Sequence, residues 1–238
     1  MKSMKVIITL AMTSAAAWGA FGEVVSSFPM PVFSGFDCSG LTWDGSYLWA
    51  LGNPNTYFYR LSTTGSVVYS FDTGGTYGYN EGAAFDGVYL WSASLQYGYP
   101  IRLNRWTLTG TPVAGYSIPD AWTGTAGLTW DGHYLWCQNC KYTTTGSLVA
   151  SFPPPFDLGD LGWDGHYLWS STRQITTTGS IVASFESPGT GGYHVKCTTF
   201  DGSYLWVANG LNDWCYQVDI GVVDVPPASL GDVKALYR

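Results

Sequence analysis

Trp163-Asp164-Gly165-His166-Tyr167-Leu168-Trp169 is the stretch of this 238-residue sequence that decides its fold, because the chain repeats it five times. In each copy an aromatic residue, Asp and Gly precede one variable residue and then Tyr-Leu-Trp. The motif aspartates are Asp44, Asp86, Asp131, Asp164 and Asp201. They recur roughly every 40 residues, a period typical of architectures in which each repeat is one structural unit.

Each repeat predicts four short β-strands. In the first repeat we predict strands at 40–43, 47–51, 57–61 and 66–71. Asp44-Gly45 separates the first two strands, since Asp-Gly suits the positive φ angles of a two-residue hairpin turn. A Thr-Thr-Gly turn precedes the last strand. The strands are rich in β-branched and aromatic residues and are bounded by Gly, Pro and Asp, which is the usual strand pattern.

Both faces of these strands are apolar, which predicts sheets stacked against one another. In Tyr-Leu-Trp, consecutive residues point to opposite faces, and none is a typical solvent-facing residue. The position two residues before each motif aspartate is small, as expected for a strand crowded near a central axis. We therefore predict an all-β fold, a five-bladed β-propeller of four-stranded antiparallel blades. The small residues are Thr42, Ala84, Thr129, Gly162 and Thr199.

The two ends of the repeat array complement each other. The fifth repeat lacks its last strand, and a segment of the missing type, Val24-Val25-Ser26-Ser27-Phe28, lies near the N-terminus. We predict that this N-terminal strand completes the last blade and closes the ring, which removes an exposed sheet edge. The alternatives are an open array and a six-bladed ring with one degenerate blade.

We divide the chain into a signal peptide at 1–22, a propeller at 23–225 and a C-terminal tail at 226–238. Lys2 and Lys5 precede an apolar run that is too short to span a bilayer, so a transmembrane anchor is the less favoured alternative. Small residues stand at cleavage spacing as Ala17/Gly19 or as Ala20/Gly22. We expect no transmembrane segment after cleavage, and a monomer that is secreted, on the cell surface or periplasmic.

The net charge of −7 and the scattered Lys and Arg residues exclude a basic surface for nucleic acid. Export would permit disulfides among the five cysteines. Cys137 and Cys140 could form a hairpin disulfide, a redox pair or half of a metal site, and Cys197 and Cys215 could also pair. Cys38 is the odd one. A second Cys-x-x-Cys or a His pair, which zinc would require, is absent, so we predict no metal centre from cysteine.

Two segments carry a family resemblance. Gly40-Leu-Thr-Trp-Asp-Gly-Ser-Tyr-Leu-Trp49 and Thr176-Thr-Thr-Gly-Ser-Ile-Val-Ala-Ser-Phe185 resemble the repeat of secreted bacterial β-propeller proteins. These are similar to the virginiamycin B lyase and glutamine cyclotransferase groups. The resemblance covers 23–225 and implies the fold, whereas one fold supports many functions.

The catalytic motifs of those enzymes are not matched. The cyclotransferases resemble one another in a Tyr-Glu-Ser-Thr-Gly-type stretch that carries a catalytic Glu, and the lyases use a His and a Glu with magnesium. This chain has no matching Glu, and His133 and His166 occupy a motif position that is Ser or Val elsewhere. We therefore interpret both histidines as solvent-facing turn residues.

The best polar candidates lie four and five residues before the motif aspartates. Glu81, Asp160 and Lys196 stand where other repeats carry mostly small residues, and His194 is near them in sequence. A carboxylate beside a lysine and a histidine could perform acid–base chemistry if burial tuned its pKa. A salt bridge or solvated charges are the alternative. Glu81 and Asp160 would also suit calcium or magnesium, which prefer oxygen ligands, although no known loop motif supports a cation.

Aromatic residues accompany these charges on the same predicted face, where rings could hold sugars or peptides or fill the centre of the ring. We predict a non-enzymatic binding or scaffold module for a glycan, peptide or protein, with no cofactor. The alternative is a small hydrolase or lyase with Glu81 as acid/base, helped by His194 or Lys196. The predicted ligand-binding residues are Glu81, Asp160, Trp122, Tyr193 and Trp214.

Overall fold

The computed structural model describes residues 20–30, 38–52, 56–74, 79–96, 99–118, 126–156, 158–189, 195–210 and 212–221. Twenty β-strands occupy most of these residues, and they contain no α-helix. The strands form five separate four-stranded antiparallel sheets, the five blades of a β-propeller. The predicted fold is therefore confirmed. No helix in the described ranges has the length and apolar character needed to cross a membrane.

The blades are numbered I to V along the chain. Blade I is β2 (Cys38–Trp43), β3 (Leu48–Gly52), β4 (Tyr57–Leu61) and β5 (Val67–Asp72). Blade II is β6 (Tyr79–Phe85), β7 (Leu90–Leu95), β8 (Ile101–Trp106) and β9 (Pro112–Ile118). Blade III is β10 (Leu128–Trp130), β11 (Leu135–Cys137), β12 (Cys140–Tyr142) and β13 (Leu148–Ser151). Blade IV is β14 (Leu161–Trp163), β15 (Leu168–Ser170), β16 (Arg173–Ile175) and β17 (Ile181–Ser184). Blade V is β18 (Val195–Phe200), β19 (Leu205–Asn209), β20 (Trp214–Asp219) and β1 (Glu23–Pro29).

The N-terminal strand closes the ring, as the sequence predicts. β1 pairs antiparallel with β20, and Phe28 lies opposite Cys215. The blade therefore joins residues from the two ends of the chain. β1 occupies the outer edge of blade V, as the fourth strand does in every other blade, so β20 has no unpaired edge.

The core is divided into five apolar clusters, one between each pair of neighbouring blades. The Trp that ends each motif lies in one of these clusters, and none of these five residues is more than 2% exposed. These residues are Trp49, Trp91, Trp136, Trp169 and Trp206. The strands are therefore apolar on both faces because both faces are covered by a neighbouring blade.

The motif aspartate organises the turn between the first two strands of each blade. The Asp44 N–H donates to the Tyr47 carbonyl at 3.1 Å, so the two residues between them are Gly45 and Ser46. Of the four, only Gly45 has a positive φ, 94°. Asp44 is thus the residue that closes the turn rather than a turn residue, which corrects the predicted Asp-Gly turn by one position.

The side chain of this aspartate explains the correction. Asp44 Oδ1 accepts the backbone N–H groups of Ser46 and Tyr47 at 2.9 and 2.7 Å, and Oδ2 accepts the Trp49 indole N–H at 2.7 Å. The other four motifs repeat these three bonds. The Asp must sit at the closing position to reach the Trp, and the Trp is then held in the core cluster.

A second turn links each blade to the one before it. Gly65, at the turn before β5, has φ of 87°, and a Cβ there would lie 2.4 Å from the Phe28 ring of blade V. Gly22 takes the same position before β1, where a Cβ would lie 2.5 Å from Phe185 of blade IV. The segment before the closing strand therefore makes the interblade contact that the Thr-Gly turns make elsewhere.

Candidate ligand-binding face

The propeller has two ends with different chemistry. One, here the motif face, carries the five Asp-Gly turns that begin at Asp44, Asp86, Asp131, Asp164 and Asp201. The other, here the loop face, is where the inner strands β2, β6, β10, β14 and β18 begin and where their neighbours end. The predicted site residues that the structure describes lie on the loop face or directly beneath it.

The motif face is built from the same contacts in several blades. In blade I, Arg60 lies with its guanidinium carbon 3.9 Å from the centre of the Tyr47 ring and its Nε 3.7 Å from Asp44 Oδ2. In blade III, Lys141 takes this position, 4.5 Å from the Tyr134 ring centre and 2.9 Å from Asp131. These cations stack on aromatic rings and pair with the motif carboxylate. The motif face is therefore occupied by its own side chains.

At the centre of the molecule, one carboxylate joins four blades. Asp160 Oδ2 accepts the backbone N–H of Leu41 in blade I at 3.0 Å and that of Thr198 in blade V at 3.4 Å. Its Oδ1 accepts the N–H of Leu128 in blade III at 3.3 Å, and the N–H of Leu161 also bonds to it. These four donors hold the same repeat position, three residues before each motif aspartate. Asp160 thus bonds to the inner strands around the axis.

Glycines in other blades let neighbouring inner strands approach closely. A Cβ on Gly40 would lie 2.6 Å from the Ala83 nitrogen, and one on Gly127 would lie 2.0 Å from the Gly159 oxygen. These glycines and Asp160 share one repeat position. Burial raises the pKa of the Asp160 carboxyl well above its ordinary value, and the backbone N–H groups oppose that shift. At 3% exposure, Asp160 is buried beneath the loop face.

The residue immediately before the Asp160 position lies at the loop-face end of the inner strand in each blade. In blades I, II and V the strand pairing shifts by one residue there, so Ser39, Glu81 and Lys196 are the extra residues of three β-bulges. Bulges re-aim a side chain and are enriched next to active sites. Glu81 is partly exposed and Lys196 is exposed. Glu81 and Lys196 therefore both lie near the start of an inner strand, one residue before the repeat position that Asp160 holds in blade IV.

Blades III and IV differ from the other blades in the turn between their second and third strands on the loop face. Their second and third strands are joined by tight turns, and Gln138 and Ser171 adopt positive φ there, 54° and 56°. A Cβ on Gly159 would lie 3.7 Å from both Ser171 Oγ and the Lys196 carbonyl. Gln138 is 5% exposed, and its Oε1 has no hydrogen-bond partner. A buried acceptor without a donor is costly in a native protein and requires an explanation.

A chain of buried polar groups lies next to Glu81 in blade II. Asn80 donates to Thr73 Oγ1 at 2.9 Å and accepts from Ser94 Oγ at 2.8 Å. Asn104 donates to Ser94 Oγ at 2.8 Å and accepts from Arg102 Nε at 3.1 Å. Blade I has Cys38 and Tyr59 at the positions that Asn80 and Asn104 hold in blade II. Blade II thus holds its bulged strand by directional bonds.

Two aromatic pairs stand at equivalent positions of neighbouring blades. Tyr57 and Tyr59 of β4 have ring centres 5.9 Å apart, and Trp214 and Tyr216 of β20 have ring centres 6.5 Å apart. Tyr57 and Trp214 are each 38% exposed. Burial raises the pKa of Tyr59, whose inner part packs on the core cluster between blades V and I. Each pair therefore has an exposed ring packed on a partly buried one.

The cysteines form no disulfide, and all five are buried. Burial raises the pKa of the Cys137, Cys197 and Cys215 thiols far above the ordinary value, which disfavours the nucleophilic thiolate. The Cys197 thiol donates to the Cys38 carbonyl at 2.8 Å. Within the described ranges, no group of three or more His, Cys, Asp or Glu residues is placed to hold a metal ion.

The predicted site residues fall into three groups. Glu81, Lys196 and Trp214 lie on the loop face, and Asp160 lies beneath it. Trp122, Tyr193 and His194 lie outside the described residues. His133 and His166 are exposed on the motif face, as expected from their turn position. Sequence reasoning named Trp214 but missed Tyr57, which also stands first in the third strand of its repeat, and it missed the neighbouring rings Tyr59 and Tyr216.

Comparison with known proteins supports the fold. No protein-family model matches the chain, and no curated protein is similar to it. A glutaminyl cyclase from Myxococcus xanthus is similar in structure, with a TM-score of 0.68 and 15% identity over 86% of this chain and 98% of the cyclase. This likeness confirms, at the level of the fold, the resemblance found in the sequence.

Two lyase structures are also similar. A catalytically inactive virginiamycin B lyase from Staphylococcus aureus, determined with quinupristin, matches with a TM-score of 0.48 and 17% identity over 76% of this chain and 66% of the lyase. A streptogramin B lyase matches with a TM-score of 0.47 and 16% identity over 82% of this chain and 96% of the lyase.

Proposed function

We propose that this protein is an exported binding module whose loop face holds a glycan, a peptide or a protein partner. The observation that carries the proposal is the repeated aromatic pair, Tyr57 with Tyr59 and Trp214 with Tyr216, on adjacent blades. In each pair the partly buried ring restricts the exposed one, so less side-chain entropy is lost when a ligand stacks on it. Exposed, rigid Trp and Tyr rings are the side chains that dominate recognition surfaces.

The contrast between the two ends of the molecule supports the loop face as the site. On the motif face, the cations and carboxylates already bond to each other and to aromatic rings. On the loop face, aromatic rings remain exposed beside bulged polar residues. We place the protein outside the cytoplasm, in accord with the N-terminal sequence, and describe it as a bacterial surface, secreted or periplasmic protein.

A panel of glycans and peptides, screened by thermal unfolding of the folded protein, tests this proposal. A ligand at ~100 times its dissociation constant adds about 2.7 kcal/mol of stability, which raises Tm measurably. We expect Trp214→Ala and Tyr57→Ala to abolish the shift. Tyr69→Ala is the matched control, because Tyr69 is 40% exposed but lies on the outer strand β5. A shift that survives both loop-face variants would refute the aromatic site.

An acid–base activity at Glu81 is the second candidate. One observation favours it: the β-bulge that presents the partly exposed Glu81 at the start of its inner strand. Glu81 would act as the acid or base, and Lys196 and His194 would assist. The fold likeness to a glutaminyl cyclase suggests peptides with N-terminal glutamine as the first substrates to test.

Ammonia release from such a peptide measures this activity directly. Wild type should show turnover that Glu81→Gln abolishes without lowering Tm. Glu186→Gln is the control, because Glu186 is an exposed carboxylate after β17 and belongs to neither candidate site. Equal rates in wild type and Glu81→Gln, or no rate at all in wild type, would leave the binding role as the better account.

A further inference from the structure

The residues immediately before the closing strand belong to the folded propeller. The Glu23 N–H donates to the Ala20 carbonyl at 2.8 Å, which closes a turn with Phe21 and Gly22 at its centre. Gly22 has φ of 88°, the value that the third residue of a type II turn requires. The turn is therefore a defined element that starts at Ala20.

This turn is attached to two blades. The Gly22 N–H donates to the Asp219 carbonyl of β20 at 2.7 Å. The Phe21 ring lies with its centre 6.2 Å from that of Trp169 and 6.0 Å from that of Phe185, both in blade IV. Phe21 is 43% exposed, and its ring packs against the edge of the core cluster between blades IV and V, which contains Trp169 with Phe185 packed on it.

The sequence offers two places for signal-peptide cleavage, and the structure distinguishes them. Cleavage after Gly22, with Ala20 and Gly22 as the small residues, would remove the whole turn and both ring contacts. Cleavage after Gly19, with Ala17 and Gly19 as the small residues, would keep every one of these contacts. We propose that the bond between Gly19 and Ala20 is the processing site and that Ala20 is the N-terminus of the exported protein.

The new N-terminus has a partner in place. The Ala20 nitrogen lies 2.9 Å from Glu23 Oε2. Before cleavage this nitrogen belongs to a neutral amide. Hydrolysis of the Gly19–Ala20 bond by water gives the Gly19 carboxylate and an Ala20 amine, which is protonated and then forms an ion pair with Glu23. The pair is exposed, so the ring contacts of Phe21 supply most of the stabilisation.

N-terminal sequencing of the full chain, expressed in a bacterium and recovered from outside the cytoplasm, tests the site. We expect the sequence Ala-Phe-Gly-Glu. This inference rests on the proposed export, and the outcomes separate the two. A chain retained in the cytoplasm with residues 1–19 intact would refute export and the inference with it. An exported chain that begins at Glu23, or that still carries residues 1–19, would refute only the Gly19–Ala20 site.

A second experiment tests the physical basis independently of export. The propeller is released from a cleavable N-terminal fusion in two forms, one beginning at Ala20 and one at Glu23. We expect the shorter form to melt lower by roughly 4 °C or more, since for a chain of this size each lost kcal/mol lowers Tm by about 2–4 °C. Phe21→Ala in the longer form should reproduce most of the loss. Equal melting of the two forms would overturn the assignment.

Discussion

The motif face and the loop face are made by the same five repeats, yet they differ in how they use polar residues. On the motif face each carboxylate has the same three N–H donors and the same buried Trp in every blade. On the loop face each blade has a different residue five positions before its motif aspartate: Ser39, Glu81, Ala126, Gly159 and Lys196. The repeated contacts of the motif face stabilise the fold, which permits the residues of the loop face to differ between blades.

The largest test of this contrast removes a motif Trp. Trp49→Ala should lower the free energy of unfolding by about 3–5 kcal/mol, because it leaves a cavity between blades I and II and removes the indole N–H that bonds to Asp44 Oδ2. Trp214→Ala on the loop face should cost under about 1 kcal/mol, because that ring is exposed. Urea unfolding of both variants measures the difference. Similar losses would show that the two faces do not divide stability and recognition as we propose.

Asp160 gives the next largest effect, since it joins four blades. Asp160→Asn keeps its size but turns an N–H group toward backbone donors, and we expect a loss of about 1–3 kcal/mol. The effect depends on pH because the pKa of Asp160 is raised in the folded state. A raised pKa means that Asp160 stabilises most below about pH 4, its unfolded pKa, and progressively less as pH rises through its folded pKa.

Unfolding of wild type and Asp160→Asn between pH 3 and pH 8 shows whether this sign is right. The difference in free energy of unfolding should be largest at acid pH and should shrink as the pH increases. A difference that stays constant, or that grows with pH, would show that the backbone N–H groups outweigh burial at this carboxylate.

The polar chain in blade II sharpens the comparison within the loop face. Asn104→Leu should cost about 1–3 kcal/mol, because Ser94 and Arg102 lose their buried partner. It should also weaken any activity or binding that depends on Glu81, whose strand the chain supports. Stability and ligand-induced Tm shift, measured together, separate the two effects. A destabilised variant with unchanged ligand response would make the chain purely structural.

The smallest expected effect is at the cation stacks of the motif face. Arg60→Gln imitates blade IV, where Gln174 donates to Asp164 Oδ2 at 3.1 Å. Because the Arg60 side chain is 32% exposed, we expect a loss of about 0.5–1 kcal/mol. Chemical unfolding at low and high salt measures it. A loss above that range would mean that the stack contributes more to the blade than its exposure indicates.

The repeat made most of the fold predictable. The period identified five units, the apolar residues on both faces of the strands predicted the stacked sheets, and the missing last strand predicted the closure by β1. These features depend on local pattern. The turn was misplaced by one residue because the deciding bond, from the Trp49 indole to Asp44, connects residues that pattern alone does not relate.

The candidate site was predictable only in part. Glu81, Asp160 and Lys196 were found because they break a repeat position, but the sequence does not show that Asp160 turns inward while the other two lie on bulges. That difference depends on how inner strands of non-adjacent repeats approach each other. The aromatic pairs depend on the same packing, which places Tyr59 and Tyr216 between blades.

The position of Asp160 at the axis also determines how a ligand could reach the centre of the propeller. Asp160 bonds to inner strands on different sides of the axis, and glycines at the same repeat position let neighbouring inner strands approach closely, so the axis is blocked at this level. Anything held at the centre of the loop face must enter and leave by one opening. A long polymer could therefore be gripped there by an end or a loop, and could not be threaded through.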